Sequence, residues 1–396
     1  MIMNPKQKYK GRKQSYLGQG VTRDLIQDVK NVKFKKKYAG DELNIFVGRF
    51  GYPNLNVGFI GNENVEEVFD APKTWATRDF QIPLISGMRS SLINSRFKAQ
   101  VKTQNTKLLD QAQQVALSKS PVQVDIELNK DPKRTLSLHK FSYPTGPAAE
   151  LKKVSITSNP KIPKQVDYVV NDTDLKADKA LVNLYRKGID EHYLTKILST
   201  ANLGLRSNRK LVPTRWSITA TDDTLGKQLI KDVSKHPSCD FFCTFGGYLG
   251  NFYITLFLPG PFAYELFEIE ADTGHYMTDH ETSFGRKSYA SNCVGGYYAN
   301  RLAVLEKLRS MKRTGTIISL RFITDKYYQP LGVWVVREAS RKSLTERELK
   351  FADKELMFKY AFGLAKKYFN YNLTEIFSKS KLMKSAIFQK KMSDFL

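Results

Sequence analysis

The residues best suited to chemistry crowd into Arg209–Thr224, where three cations, one tryptophan, five hydroxyl side chains and two adjacent carboxylates share one short stretch. Arg209, Lys210 and Arg215 suit phosphate, Arg215 through its bidentate fork. Trp216 suits stacking on a base. Asp222 and Asp223 suit either a divalent metal or the cap of a helix starting near Thr224. A third carboxylate belongs with them. On a strand over Ala263–Glu270, alternation puts Glu268 and Glu270 on one face and Glu265 on the other, beside Phe267 and Ile269. Buried carboxylates are usually paired or functional. Glu265 therefore either joins Asp222, Asp223, Asp172 and Asp174 around Mg²⁺ or Mn²⁺ for phosphodiester cleavage, or pairs with Arg215 or Arg301. Asp222, Asp223 and Glu265 are the candidate catalytic and metal-holding residues. The competing reading makes Asp174 and Asp222 helix caps. A separate run, Asp272, His275, Asp279, His280 and Glu281, has ligand types for a transition metal but sits in a polar, loop-like stretch. No nucleophile elbow and no Walker Gly-rich loop occurs, which argues against a serine hydrolase and an ATP-driven motor.

The elements that must position these residues mix helix and strand. Asn44–Arg49 and Val57–Ile60 read as paired strands around a Gly-Arg-Phe-Gly-Tyr-Pro turn. Thr106–Ser118 has helical periodicity and Val122–Leu128 alternates as a strand. Asp131–Pro163, rich in Pro, Lys and Ser, reads as a long surface connection. Asp174–Lys187 and Asp190–Ser199 read as amphipathic helices capped by Asp174 and Asp190. Phe252–Leu258 and Phe262–Glu270 flank Pro259-Gly260-Pro261 as a hairpin or a sharply turned strand pair. Tyr297–Met311 reads as a helix, Thr316–Ile323 and Gly332–Arg337 as strands, and the chain from Thr345 as largely helical. With no clean βαβ repeat, the expected class is α+β, with a mixed, mainly antiparallel sheet core, packed helices and a helical C-terminal region. The expected organisation is a basic flexible arm over 1–40, a core over 41–340 with a sub-boundary near 131–163, a helical region over 341–388, and a terminal peptide over 389–396.

Bulk properties set the partner class. The 396 residues carry 63 Lys+Arg against 39 Asp+Glu, a formal charge of +24, which favours polyanions through counterion release. The arm concentrates Lys6, Lys8, Lys10, Arg12, Lys13, Lys33, Lys35, Lys36 and Lys37 against Asp24 and Asp28, and either lies along phosphates or is a solvated tail. Three cysteines are too few for a disulfide framework and point to a reducing cytoplasm. Cys239 and Cys243 lack the further ligands of a structural zinc, which is not expected. No apolar run reaches the ~18 residues of a membrane span, so no membrane partner is expected.

Lys210-Leu211-Val212-Pro213-Thr214-Arg215-Trp216-Ser217-Ile218-Thr219 resembles a block of the archaeal Nre proteins, a family associated with DNA repair. Phe46-Val47-Gly48-Arg49-Phe50-Gly51-Tyr52-Pro53, Arg89-Ser90-Ser91-Leu92 and Val170–Ala177 resemble further blocks of that family. So do Leu258-Pro259-Gly260-Pro261, Gly295-Gly296-Tyr297-Tyr298-Ala299 and Gly332-Val333-Trp334, in the same order. The resemblance spans roughly 43–340 and implies DNA as partner, with Arg49, Tyr298 and Arg301 joining the candidate nucleic-acid-binding residues. It carries over no reaction. The chain departs from many relatives in lacking a Cys-rich cluster around Tyr9–Gly20, where the Lys-rich arm stands instead.

The last residues carry an independent pattern. Gln389-Lys390-Lys391-Met392-Ser393-Asp394-Phe395-Leu396 has the spacing of a peptide that docks on the sliding clamp (PCNA). One tight turn gathers Met392, Phe395 and Leu396 into an apolar plug while Gln389 reaches a polar pocket. Two functions follow: a DNA- and clamp-binding repair protein that is also a metal-dependent, nuclease-like enzyme, or a non-catalytic adaptor with the same partners.

Overall fold

The computed structural model describes residues 32–102, 106–133 and 144–388. Both the clamp-type peptide and most of the basic arm lie outside the described residues. The chain forms two compact units: one over Met1–Thr224 with Gln329–Leu331, the other over Leu225–Tyr328 with Gly332–Leu396. The class is α+β, as expected, with the strands in two mixed, mainly antiparallel sheets.

The first unit is built on β1 (Lys37–Val47), β2 (Asn54–Asn62), β3 (Ile93–Gln100), β4 (Val122–Leu128) and β5 (Ala148–Ile156). These close into a barrel of order β1-β2-β3-β5-β4. Every ladder is antiparallel except β3 with β5. Between β2 and β3 the chain inserts α1 (Pro72–Thr77) and α2 (Ile82–Ser90); between β3 and β4 it inserts α3 (Lys107–Leu117). This order, with a helix between the third and fourth strands, is the topology of an OB-fold. Alternation drives the closure: Val122, Val124, Ile126 and Leu128 point inward from β4 and meet Leu55, Val57 and Phe59 from β2. The apolar stripe of α3 (Leu109, Ala112, Val115, Ala116) joins the same core, each large side chain contributing roughly 1.5–3 kcal/mol by burial. A register shift at Glu42/Asn44 bends β1, as barrel strands commonly require.

Two sequence expectations change here. The connection expected over 131–163 contains a barrel strand, β5, and the strand expected from Asn44 starts at Lys37, inside the expected arm: Tyr38 is a core residue of β1 and Phe34 packs against that core. The unit continues through α4 (Lys164–Asn171), α5 (Ala177–Arg186), α6 (Glu191–Ser199) and the start of α7 (Thr214–Val233). Asp190 caps α6 as expected, accepting from His192 N and Tyr193 N at 3.0 Å. Asp174 does not cap α5, whose N-cap is Lys176.

The second unit adds β6 (Phe242–Tyr248), β7 (Asn251–Leu258), β8 (Ala263–Glu270), β9 (Tyr276–Glu281), α8 (Val294–Met311), β10 (Thr316–Ile323), α9 (Val333–Leu344) and β11 (Leu349–Lys350). Then follow α10 (Lys354–Phe369), α11 (Thr374–Lys379) and α12 (Lys381–Phe388). The sheet runs β11-β6-β7-β10-β8-β9. The pair expected around Pro259-Gly260-Pro261 is not a hairpin, because β10 inserts between β7 and β8, antiparallel to one and parallel to the other. Gly332–Arg337 is helical rather than extended: the β-branched run Val333, Val335, Val336 continues into Leu344 as α9, with Trp334, Val335, Val336 and Ala339 buried. Packing overrides local preference there. Ile254, Leu256, Ile318, Leu320 and Phe322 form a core with Met357, Ala361, Leu364 and Ala365 of α10. No helix among the described residues is long and apolar enough to cross a membrane.

Candidate nucleic-acid interface

At one end of the barrel, β1 passes into β2 through Gly48–Pro53. The turn is fixed by backbone bonds from Gly48 N to Asn56 O (2.8 Å) and from Asn54 N to Gly51 O (2.7 Å). Gly51 has φ +88°, and a Cβ there would sit 2.8 Å from Asn54 O, so the turn needs glycine. The consequence is two aromatic rings held in water, Phe50 at 74% and Tyr52 at 61% exposure, with Phe46 at the end of β1 at 44%. The Arg49 guanidinium lies 4.7 Å over the Phe50 ring, a cation–π contact. Large aromatics normally drive the core, so an exposed group of three is informative.

The Trp-containing segment reaches this same end. Val101, just past β3, donates to Pro53 O and accepts from Leu211 N, both at 2.9 Å. Val47 N donates to Thr214 Oγ1 at 2.9 Å, and Ser199 Oγ donates to Val212 O at 2.7 Å. These bonds set the first turn of α7 where β1 enters its turn. Pro213 fixes the entry, its carbonyl accepting from Trp216 N and Ser217 N. The helix thus begins ten residues ahead of the Thr224 start read from the sequence, at Thr214. Ser217, Thr221, Leu225, Leu229 and Val233 form its buried stripe, which leaves Arg215 and Trp216 exposed.

The predicted site residues fall on elements of both units. Arg49, Lys210, Arg215 and Trp216 are exposed in the first unit. Arg209 is partly buried: its Nε donates to Gly204 O and its Nη2 to Val170 O, bracing the backbone, and burial lowers its pKa. Tyr298 and Arg301 are buried in the second unit, where Arg301 Nη1 donates to both oxygens of Glu281 at 3.0–3.1 Å and its guanidinium lies 5.2 Å from the Tyr298 ring. Neither side chain presents itself to a phosphate or base at the surface.

Of the candidate catalytic carboxylates, two lie on α7 and the third on β8. Asp222 and Asp223 lie within α7 rather than capping it, Asp222 fully buried. Successive helix residues diverge by about 100°, so the two side chains leave the helix in different directions. Glu265 belongs to the second unit. Its Oε2 accepts from Ser380 Oγ (2.5 Å) and Leu382 N (3.1 Å), its Oε1 from Lys381 N (3.0 Å). It pairs with neither Arg215 nor Arg301; it holds the N-terminus of α12. Glu268, expected on the face opposite Glu265, is buried and paired with Arg321. Asp172 accepts from Asp174 N, an Asx turn at the end of α4. In the histidine-containing run, Asp279 accepts from Asn292 N and Cys293 N and pairs with Arg286 at 3.2 Å. With Glu281 on Arg301, the two buried carboxylates of that run serve ion pairs. Cys239 and Cys243 are buried free thiols, Cys239 pushed up to about 12 by burial.

Comparison with known proteins places this geometry in a family. The model described as archaeal Nre, N-terminal, matches residues 21–276, and that described as archaeal Nre, C-terminal, matches 281–395. The chain belongs to the archaeal Nre family. The Nre chain is 34% identical over 323 residues to the DNA repair protein NreA of Haloferax volcanii, covering 77% of each chain. It is 35% identical to the DNA repair protein NreB of Archaeoglobus fulgidus, covering 78% of this chain and 80% of that one. It is 34% identical to the DNA repair protein NreA of the same organism, with 77% and 79% covered. No solved structure matches.

Three exposed aromatics of the candidate interface were not singled out from the sequence. Phe46, Phe50 and Tyr52 were visible in a family block, but nothing local distinguishes an exposed ring from a core ring. The density of Gly and Pro around them was the available signal, since a tight turn at a strand end cannot bury three rings. Arg96 and Lys98 were missed as well; both are exposed on β3.

Proposed function

We propose that this chain acts in DNA repair as a DNA-binding protein that also docks on the sliding clamp. The DNA-repair setting is supported by its relatives, which are DNA repair proteins. The observation that carries DNA binding is the exposed group of Arg49, Phe50, Tyr52, Arg215 and Trp216 at one end of the barrel, on a chain of formal charge +24. Arginines position phosphates and aromatic rings receive bases. The clamp partner is supported by the spacing of Gln389, Met392, Phe395 and Leu396. Between enzyme and adaptor, the engagement of Glu265 with α12 and the divergence of Asp222 and Asp223 favour the adaptor.

The test has two arms. Arg49→Ala with Arg215→Ala should weaken DNA binding and flatten the slope of log affinity against log salt by about 1.5, since each phosphate contact contributes roughly 0.7–0.9. Removal of Gln389–Leu396 should abolish binding to the clamp from the same organism without altering DNA affinity, and Phe395→Ala should reproduce most of that loss. An unchanged salt slope removes the DNA face, and clamp binding by the truncated chain removes the tail.

A further inference from the structure

We infer that the DNA this barrel takes is a single strand, drawn across the outer wall of β1, β2 and β3 with its bases on exposed aromatic rings. The inference rests on the DNA-binding reading above and narrows it. The strand register shows what this wall presents. Phe46 of β1 stands opposite Gly58 of β2, and Gly58 opposite Arg96 of β3. The next rows place Asn56 opposite Lys98 and Asn54 opposite Gln100. Their inward neighbours Leu55, Val57, Phe59 and Phe97 fill the core, so alternation turns Phe46, Asn56, Arg96 and Lys98 outward. These three rows hold cations, amides and one aromatic ring, but no carboxylate. The first acid in the row, Glu150, stands on β5 beyond Arg96.

Arg96 and Lys98 have no carboxylate partner among the described residues. The wall leads to the turn that carries Arg49, Phe50 and Tyr52, and Trp216 adjoins that turn through the Val47–Thr214 hydrogen bond. Rings with open faces can receive only bases that are already unstacked, because a paired duplex buries its base faces and shows only edges. A cationic strip beside an aromatic platform is therefore matched to single-stranded nucleic acid. A duplex binder needs a helix or ribbon that enters a groove, and this wall is a curved sheet.

The experiment uses the full-length protein at about 0.1 M salt with a fluorescent oligothymidylate, a duplex of equal length and the matching RNA strand. Anisotropy should show the single DNA strand bound at least tenfold more tightly than the duplex. Phe46→Ala, Phe50→Ala, Tyr52→Ala and Trp216→Ala should each weaken single-strand binding by about fivefold to 150-fold, the range of one stacked base, and leave duplex affinity unchanged. All four rings are exposed, so melting temperatures should hold. Intrinsic fluorescence gives an independent readout: Trp75 and Trp334 are 0% and 6% exposed while Trp216 is 50% exposed, so quenching by oligothymidylate should vanish in Trp216→Phe. Duplex binding as tight as single-strand binding, with the alanine variants affecting both alike, overturns this inference and leaves DNA binding standing. Tighter binding of the RNA strand overturns the choice of DNA. Absence of binding to every nucleic acid overturns the underlying reading as well.

Discussion

Glu265→Gln separates a structural carboxylate from a catalytic one. The N-terminus of α12 offers donors that no residue inside the helix can satisfy. Ser380 is its N-cap, with Oγ accepting from Met383 N at 3.0 Å, and Glu265 takes Lys381 N, Leu382 N and the Ser380 hydroxyl itself. Three donors thus converge on one buried carboxylate, which also meets the positive end of the helix. Glutamine has nearly the same shape but turns one acceptor into a donor, so either Lys381 N or the Ser380–Leu382 pair loses its partner and faces an opposing N–H. A hydrogen bond to a charged acceptor is worth about 1.5–3 kcal/mol net, and an unsatisfied buried donor costs about 1–3 kcal/mol. The expected loss is about 2–4 kcal/mol, or roughly 5–15 °C in melting temperature for a unit of this size. Calorimetry on Glu265→Gln, Ser380→Ala and the double variant should show coupling of at least about 1 kcal/mol, because the two side chains serve one helix end. A Glu265→Gln protein that melts normally, yet loses a Mg²⁺- or Mn²⁺-dependent cleavage of DNA possessed by the wild type, would refute the capping account and restore the catalytic one.

Two further predictions concern the barrel and the arm. Burial pushes the Glu42 carboxyl well above the ordinary carboxylate range, with the Tyr38 hydroxyl opposing the shift and Asp41 adding to it; a carboxyl held protonated in the fold stabilises at acid pH and loses that contribution as pH rises from the unfolded value toward the folded one. Melting curves should therefore show Glu42→Gln gaining on the wild type as pH rises through that window, and equal slopes for the two proteins would show the reasoning wrong. Removing residues 1–31 should lower the salt slope of DNA binding without loss of stability, whereas a cut at residue 40 should destabilise the barrel by deleting Tyr38, which is 5% exposed; an unaltered slope after the shorter cut makes the arm a solvated tail.

What the sequence disclosed and what it hid follow one physical division. Local periodicity is written in neighbouring residues, so β4, α3 and α6 were legible, down to the Asp190 cap. Pairing between distant strands is not, which is why the insertion of β10 between β7 and β8 escaped a reading built on the Pro-Gly-Pro turn. The barrel escaped for the same reason: closure depends on β1 meeting β4 and on β3 meeting β5, and no segment announces its partner. At the candidate interface, Lys210, Arg215 and Trp216 were singled out by residue type and Arg49 through a family block, and all four are exposed. Type also selected Glu265, and the resemblance Tyr298 and Arg301, whose surroundings are buried; an arginine suited to phosphate and one suited to an internal glutamate look identical until Glu281 is seen beside it.

The position of β9 bears on where such a chain can be divided. The N-terminal family model ends at residue 276 and the C-terminal model begins at 281, the first and last residues of that strand. Yet β9 is hydrogen-bonded along β8 and delivers Glu281 to Arg301. A gene split or recombined at this point would leave β8 as a bare sheet edge in the N-terminal product. Helix α7 likewise starts in one compact unit and ends in the other, and Gln329–Leu331 rejoin the first after the chain has built much of the second. The two segments recognisable by sequence therefore do not coincide with the two compact units: neither segment, taken alone, closes the sheet that β8 and β9 share.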